Sequence, residues 1–142
     1  MAESDNLKQV LAALELRKQA YDVAISQATF EIASKVATKA KTSVNRKRKK
    51  GSYPATSGEP PMKVTGNLLR GITADSKRKG FGVYVAEVGS YVEYARVLEF
   101  GGAPTWTRGQ KFPYMQPALD QFKASNQIRT IIAKHLRKAS RV

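Results

Sequence analysis

The residue types that catalyse reactions are few in this sequence, and their spacing fits none of the common catalytic sites. His135 is the only histidine, and it lies among Lys134 and Arg137 without a carboxylate nearby in the sequence to orient its ring. It is therefore expected to be a solvated helix residue, and neither a proton-transfer site nor a histidine-based metal site is predicted. Glu93 and Glu99 are six residues apart, so on one short helix they project in different directions and do not form an acid–base pair.

Glu99 is better explained as a structural carboxylate than as a catalytic one. It precedes Phe100 and Gly101, and its expected partners are backbone N–H groups or an arginine such as Arg96. An intersubunit salt bridge is the alternative. The glycines of RKGFGVY, residues 78–84, do not form a phosphate cradle, because such a cradle needs a loop that leads into a helix N-terminus. The sequence thus predicts no enzymatic activity, no cofactor and no metal.

The charge of the chain points instead to an anionic partner. In 142 residues, 25 Lys and Arg face 11 Asp and Glu, for a formal net charge of +14. Such an excess favours nucleic acid, an acidic protein surface or a membrane surface. Five consecutive cations are predicted to contact DNA in a channel or an acidic partner, and a solvated charged loop is the alternative: Arg46, Lys47, Arg48, Lys49 and Lys50. No aromatic platform or recognition helix accompanies this run, so sequence-specific DNA readout is not predicted.

The elements that must position these residues begin with one long helix over residues 4–42. Its apolar residues recur every three or four positions in one narrow stripe: Leu7, Val10, Leu11, Leu14, Tyr21, Ile25, Ala28, Ile32 and Val36. A helix of that length spans about 55–60 Å, more than the diameter of a domain this small. One end is therefore expected to project, or the helix to break near residues 16–20, where Lys18 interrupts the stripe. Residues 43–64 contain three prolines and are predicted to form a long, mobile, basic loop.

The middle of the chain has the pattern of a β-hairpin, with strands at about residues 68–76 and 81–89 joined by the turn SKRKG. Both faces of the second strand are largely apolar, so an added strand or sheet completion across subunits is expected. A short helix over residues 91–99 and a long amphipathic helix with a basic back, starting near Pro113 or Pro117, complete the pattern. The sequence therefore predicts a single α+β domain over residues 1–142. No apolar run is long enough to cross a bilayer, and no membrane partner is expected.

Three ordered segments carry a resemblance to a known family. They are VTGNLLRGI (64–72), YVEYARVLEFGG (91–102) and FPYMQPALDQ (112–121), and they follow the long N-terminal helix. In this order they resemble the small head–tail joining and tail-completion proteins of long-tailed bacteriophages, the gene-10-like family of lambdoid phages, over about residues 5–140. The resemblance implies an α+β fold and a structural role without catalysis or cofactor, as a subunit of a ring through which the genome passes.

The second and third of these segments are expected to pack together as a structural corner where the chain reverses direction. Its predicted members are Tyr94, Leu98, Glu99, Phe100, Gly101, Pro113, Met115, Pro117 and Leu119. The corner would aim the 101–112 loop outward, with Trp106, Arg108 and Lys111 as interface residues, since Trp and Arg are enriched in binding hot spots. The alternative for Trp106 is that it folds back onto the core.

The resemblance implies a virion structural protein that completes the tail or joins head to tail at the neck or proximal tail. The ring is expected to be a hexamer or a dodecamer of this chain. It would meet adjacent neck and tail-tube or terminator proteins and make nonspecific contact with packaged double-stranded DNA. The expected location is the virion, and the host cytoplasm during assembly. A tail terminator and a nonspecific nucleic-acid-binding protein are the alternatives.

Overall fold

Helix α1 (Ala2–Val44) is the element against which the rest of the chain packs. The computed structural model describes residues 2–45, 66–101 and 111–141. The predicted long helix is confirmed. Of the two alternatives for its length, the projecting end is correct, because the helix runs without a break through residues 16–20 and residues 2–19 are all exposed. The side chains that α1 buries are mostly small and all lie in its second half: Ala24, Ala28, Ala33, Val36, Ala37, Ala40 and Val44.

The end of α1 corrects one predicted boundary. The helix continues through Val44, so the segment predicted to be a loop over 43–64 begins as helix. Residues 46–64 of that segment lie outside the described residues.

The middle of the chain forms a one-turn helix and a two-stranded antiparallel sheet: α2 (Asn67–Gly71), β1 (Ile72–Gly80) and β2 (Val83–Ser90). The predicted hairpin is confirmed, but its turn is not SKRKG, because residues 76–80 continue β1. The chain turns instead at Phe81 and Gly82, and Gly82 has a φ of 68°. Glycine adopts this left-handed conformation without steric cost, so the second glycine of the GFG sequence makes the turn. The first predicted strand also begins too early, since α2 occupies its first residues.

One face of the sheet is covered by α1. Along β1 the more buried residues Ile72, Ala74 and Ser76 alternate with exposed ones, as expected for a strand with one covered face. Val83 and Val85, in β2, remain exposed. Within the described residues the sheet has two strands, so completion across subunits stays a prediction.

The C-terminal part contains three helices where a short and a long one were expected: α3 (Ala95–Phe100), α4 (Met115–Ala124) and α5 (Gln127–Ala139). The predicted single long helix is wrong, because the chain bends at Ser125 and Asn126, and Asn126 has a φ of 56°. Asparagine is one of the few residues that adopt this conformation readily. The helix also begins at Met115, so neither Pro113 nor Pro117 occupies its first position.

The core consists of two clusters that both involve α1. The first contains Ala37 and Ala40 of α1 together with Ala118 of α4. The second contains Val36 and Phe122. As residue numbers rise along α4 and α5, those of their partners on α1 fall, so these helices run antiparallel to α1. This arrangement confirms the α+β class and leaves residues 2–19 of α1 exposed.

Candidate assembly surfaces

Glu99 of α3 caps the first turn of α4. Its Oε2 accepts hydrogen bonds from the backbone N–H groups of Tyr114 and Met115 at 2.9 and 3.0 Å, and its Oε1 accepts one from Gln116 at 2.9 Å. These N–H groups have no partner inside the helix, and the positive end of the helix dipole favours a carboxylate there. Of the partners considered for Glu99, the structure shows backbone N–H groups rather than Arg96.

Several other predicted corner residues do meet around this cap. Leu98 is buried in the first core cluster together with Tyr114, which was not among the predicted corner members, and Met115 packs against this cluster. Gly101, with a φ of 77°, ends α3 by donating its N–H to the Val97 carbonyl oxygen. Burial raises the pKa of Tyr114 to about 12.

Two predicted corner residues are exposed. Phe100 is 69% exposed and Tyr94 is 37% exposed, so neither side chain is buried in the corner, and their packing against the third segment stays a prediction. Leu119 packs on the second core cluster instead. Pro113 and Pro117 are half-buried. The aromatic side chain of Phe100 is thereby left at the surface.

A groove of about 980 Å³ lies between β2 and α4. Ile32, Val36 and Leu119 are among its apolar lining residues, and Phe100 also contributes to it. Asp75 is one of the carboxylates in the lining. The groove is wide enough for a peptide segment or a side-chain cluster from another chain.

The tip of the hairpin is fixed to α1 by Asp22. Its carboxylate accepts hydrogen bonds from the Gly82 N–H at 2.7 Å and from the Tyr84 hydroxyl at 2.9 Å. The Gly82 N–H, then Tyr84 and then Arg78, whose guanidinium lies 3.7 Å away, lower the pKa of Asp22. Lys18 also lies over the Phe81 ring, 4.6 Å from its centre. The hairpin therefore contacts α1 as far towards the N-terminus of the helix as about Lys18.

Glu31 ties α5 to α1 and corrects the expectation for His135. The Glu31 Oε2 atom lies 2.6 Å from His135 Nε2 and 2.8 Å from Lys134 Nζ. The His135 side chain is only 15% exposed, so it is not a solvated helix residue. Lys134 and then His135 lower the pKa of Glu31 to about 2. The pair is 104 residues apart in sequence, and the sequence pattern gives no signal for it.

This cluster joins α5 to α1. Glu31 is the carboxylate that contacts His135, and His135 is not among the residues that line the groove between β2 and α4. Among residues 2–45, 66–101 and 111–141, no group of three or more His, Cys, Asp or Glu is placed to hold a metal ion. In the same ranges no helix has both the length and the apolar character that crossing a bilayer needs.

An exposed apolar stripe runs along the first part of α1, the end of the helix that was expected to project. Leu7, Val10, Leu11 and Leu14 are each 55–59% exposed. They lie three or four positions apart, on one side of the helix. The sequence signal for such a surface is an apolar helix stripe that continues beyond the part of the helix that the core of one domain can cover.

Some of the remaining predicted interface residues lie within the described residues, and others lie outside them. The basic run Arg46–Lys50, with Trp106 and Arg108, lies outside the described residues. Lys111 is exposed. Of the cations predicted on the back of the final helix, Arg137 and Lys138 are exposed on α5, and Lys123 is exposed on α4.

Comparison with known proteins identifies the family. No curated protein and no solved structure matches the chain. A family model described as "Bacteriophage HK97-gp10, putative tail-component" matches residues 8–101, about two thirds of the sequence. The match includes α1, the hairpin and the Glu99 end of the corner. The chain therefore belongs to the HK97-gp10-like family of bacteriophage tail proteins.

Proposed function

We propose that this tail protein forms a homo-oligomeric ring at the neck or proximal tail, where it completes the tail or joins head to tail around the DNA channel. The observation that carries the proposal is the large apolar surface that the single chain leaves exposed on α1. Soluble monomers rarely expose contiguous apolar surface of this kind unless it binds a partner. A virion structural role without catalysis agrees with the family.

A closed ring is expected if each contact between neighbouring subunits joins two different surfaces of the chain. The stripe on α1 is a convex helix face, whereas the chain's two described grooves, one between β2 and α4 and one on α5, are concave. Contacts between unlike surfaces are head-to-tail, and they close into a ring when the rotation between subunits allows it. Six or twelve copies are the expected numbers.

The positive charge of the ring is proposed to face DNA or the acidic surface of an adjacent ring. A formal +14 per subunit becomes a strong local field when several subunits surround one channel. Arg46–Lys50 carry the densest part of this charge. Reversing Arg46, Arg48 and Lys49 to Glu should abolish joining while leaving the subunit folded. The matched control reverses three exposed cations elsewhere, Arg70, Lys79 and Arg96, and should retain joining.

The deciding experiment is an early stop codon in this reading frame of the source phage, with the lysate imaged by electron microscopy. DNA-filled heads beside separate tails of normal length, restored to whole virions by the gene supplied in trans, are the expected result. Overlong or uncapped tails would assign the protein as a tail terminator. Intact, infectious virions would contradict a role in assembly and favour nonspecific nucleic-acid binding.

A further inference from the structure

The first part of α1 presents a packing surface that its own chain does not use. Residues 2–19 are all exposed and form about 27 Å of helix. The stripe of Leu7, Leu11 and Leu14 continues the line that Ala28 and Ile32 follow into the core further along the same helix. The same face is therefore buried in one half of α1 and bare in the other.

A second apolar surface lies on the side of α5. Ile128, Ile132 and Leu136 are among the residues that line a groove of about 470 Å³ there. Lys123 and Arg129 are also in its lining, so the apolar floor has cations beside it. Ile132 is 38% exposed.

The end of α1 that carries the Leu7–Leu14 stripe is locally acidic, whereas α5 is basic. Residues 2–16 carry Glu3, Asp5 and Glu15 against the single cation Lys8, and the cations Arg17 and Lys18 follow this stretch. Residues 127–139 of α5 carry four cations and no carboxylate. Complementary charge of this kind selects the partner and fixes its orientation.

We propose that the first part of α1 from one subunit packs its Leu7–Leu14 stripe into the α5 groove of the next copy in the ring. Leu7 and Leu14 are about 10 Å apart along α1, and Ile128 and Leu136 about 12 Å apart along α5, so the two apolar surfaces match in length. An apolar helix face in a groove is a common mode of recognition. The inference rests on the proposed ring and names the contact that builds it.

The geometry excludes the same contact within one chain. Glu31 of α1 lies against Lys134 of α5. Leu11 is twenty residues before Glu31, about 30 Å along the helix, and so far from the groove of its own subunit. Only another copy can place its stripe there.

Because the chain contains no cysteine, the proposed contact can be tested by introducing pairs of cysteines and measuring disulfide formation between subunits. The source phage would carry Leu11→Cys together with Ile132→Cys, and purified particles would be oxidised and run on a non-reducing denaturing gel. A bond needs Cα atoms within about 7 Å, so the pair should form a ladder of covalent oligomers of this protein. Leu11→Cys with Lys138→Cys is the matched control, since Lys138 lies away from the groove, and it should give no ladder.

The outcomes separate this inference from the proposed function. Protein that is present in the particles but stays monomeric on the gel would overturn the α1–α5 contact while leaving the ring role intact. Dimers from Leu11→Cys alone would overturn it as well, because they would show α1 paired with α1. Absence of the wild-type protein from purified wild-type particles would contradict the proposed function itself.

A charge exchange provides a second variant that does not depend on disulfide geometry. Glu15→Arg alone and Arg129→Glu alone should each reduce the fraction of heads joined to tails, as counted by electron microscopy. The two together should restore most of it, because the opposite charges again face each other. A double variant no better than the worse single variant would overturn the proposed contact.

Discussion

The cap that Glu99 provides is a stability element whose size can be worked out from its contacts. In Glu99→Ala the N–H groups of Tyr114, Met115 and Gln116 lose their acceptor. Two of the three bonds are half-buried and the third is exposed, so water replaces the third most easily. Losing a helix cap costs about 0.5–2 kcal/mol, and losing a charge at the N-terminal end costs about 0.3–1 kcal/mol more. We expect the free energy of unfolding to fall by about 2 kcal/mol.

The assay is urea and thermal unfolding of the full chain followed by far-UV circular dichroism. A loss of about 2 kcal/mol corresponds to a Tm lowered by roughly 5–10 °C for a chain of this size. Glu99→Gln keeps an acceptor oxygen but not the charge, so it should fall between Ala and the wild type. Glu93→Ala removes an exposed glutamate six residues earlier and should change the stability by less than about 0.5 kcal/mol.

The result that refutes this reasoning is an unfolding free energy of Glu99→Ala equal to that of Glu93→Ala. If that variant also failed to join heads to tails, Glu99 would belong to the intersubunit salt bridge considered as its alternative. Low stability with normal joining of the folded fraction would show that the carboxylate acts within the subunit.

Three further predictions follow from single contacts. The folded pKa of Glu31 is about 2, below its usual 4.5, so its ion pairs stabilise the fold above pH 4.5 and lose that effect as pH falls toward 2. In urea unfolding, Glu31→Gln should lower the free energy of unfolding by about 1–2 kcal/mol at pH 7, a value reduced for solvent screening. Near pH 2 the same substitution should change it little. Gly71→Ala would place a methyl group 2.4 Å from Val92 Cγ2 and should cost about 1–3 kcal/mol in thermal unfolding, partly recovered by Val92→Ala. Asp22→Ala should speed hydrogen exchange of the Gly82 amide, measured by NMR, because that N–H loses its acceptor; an unchanged exchange rate would contradict the role given to Asp22.

The elements with a strong local pattern were predictable from sequence, and their junctions were not. The stripe on α1 predicted the long helix, and two β-rich runs on either side of a glycine-containing turn predicted the hairpin. The GFG sequence offered two glycines for the turn, and only the φ of Gly82 decides between them. The bend at Asn126 has no glycine or proline to announce it, because an asparagine supplies the left-handed residue.

Contacts between distant parts of the chain were the hardest features to predict from the sequence. His135 has no carboxylate near it in sequence, and its partner Glu31 is brought to it only by the antiparallel packing of α5 on α1. Glu99 was easier, since a carboxylate shortly before a proline-framed helix start suggests a cap. Its neighbour Phe100 has the residue type of a core position, yet it is exposed, and the sequence has no feature that distinguishes the two cases.

The apolar residues of α1 change in size along the helix. This change suits one half of α1 to packing within its own chain and the other half to the proposed packing on another subunit. Its buried half uses alanine at five of its seven buried positions, which lets the sheet and helices approach closely. Its bare half carries leucine and valine instead. Covering the exposed half of Leu7, Val10, Leu11 and Leu14 contributes about 4 kcal/mol, and the facing α5 side chains about 2–3 kcal/mol more. This sum is near the low end of the estimated cost of associating two proteins, about 4–15 kcal/mol. One such contact therefore holds two free subunits only weakly, whereas closure of a ring gives every subunit two of them.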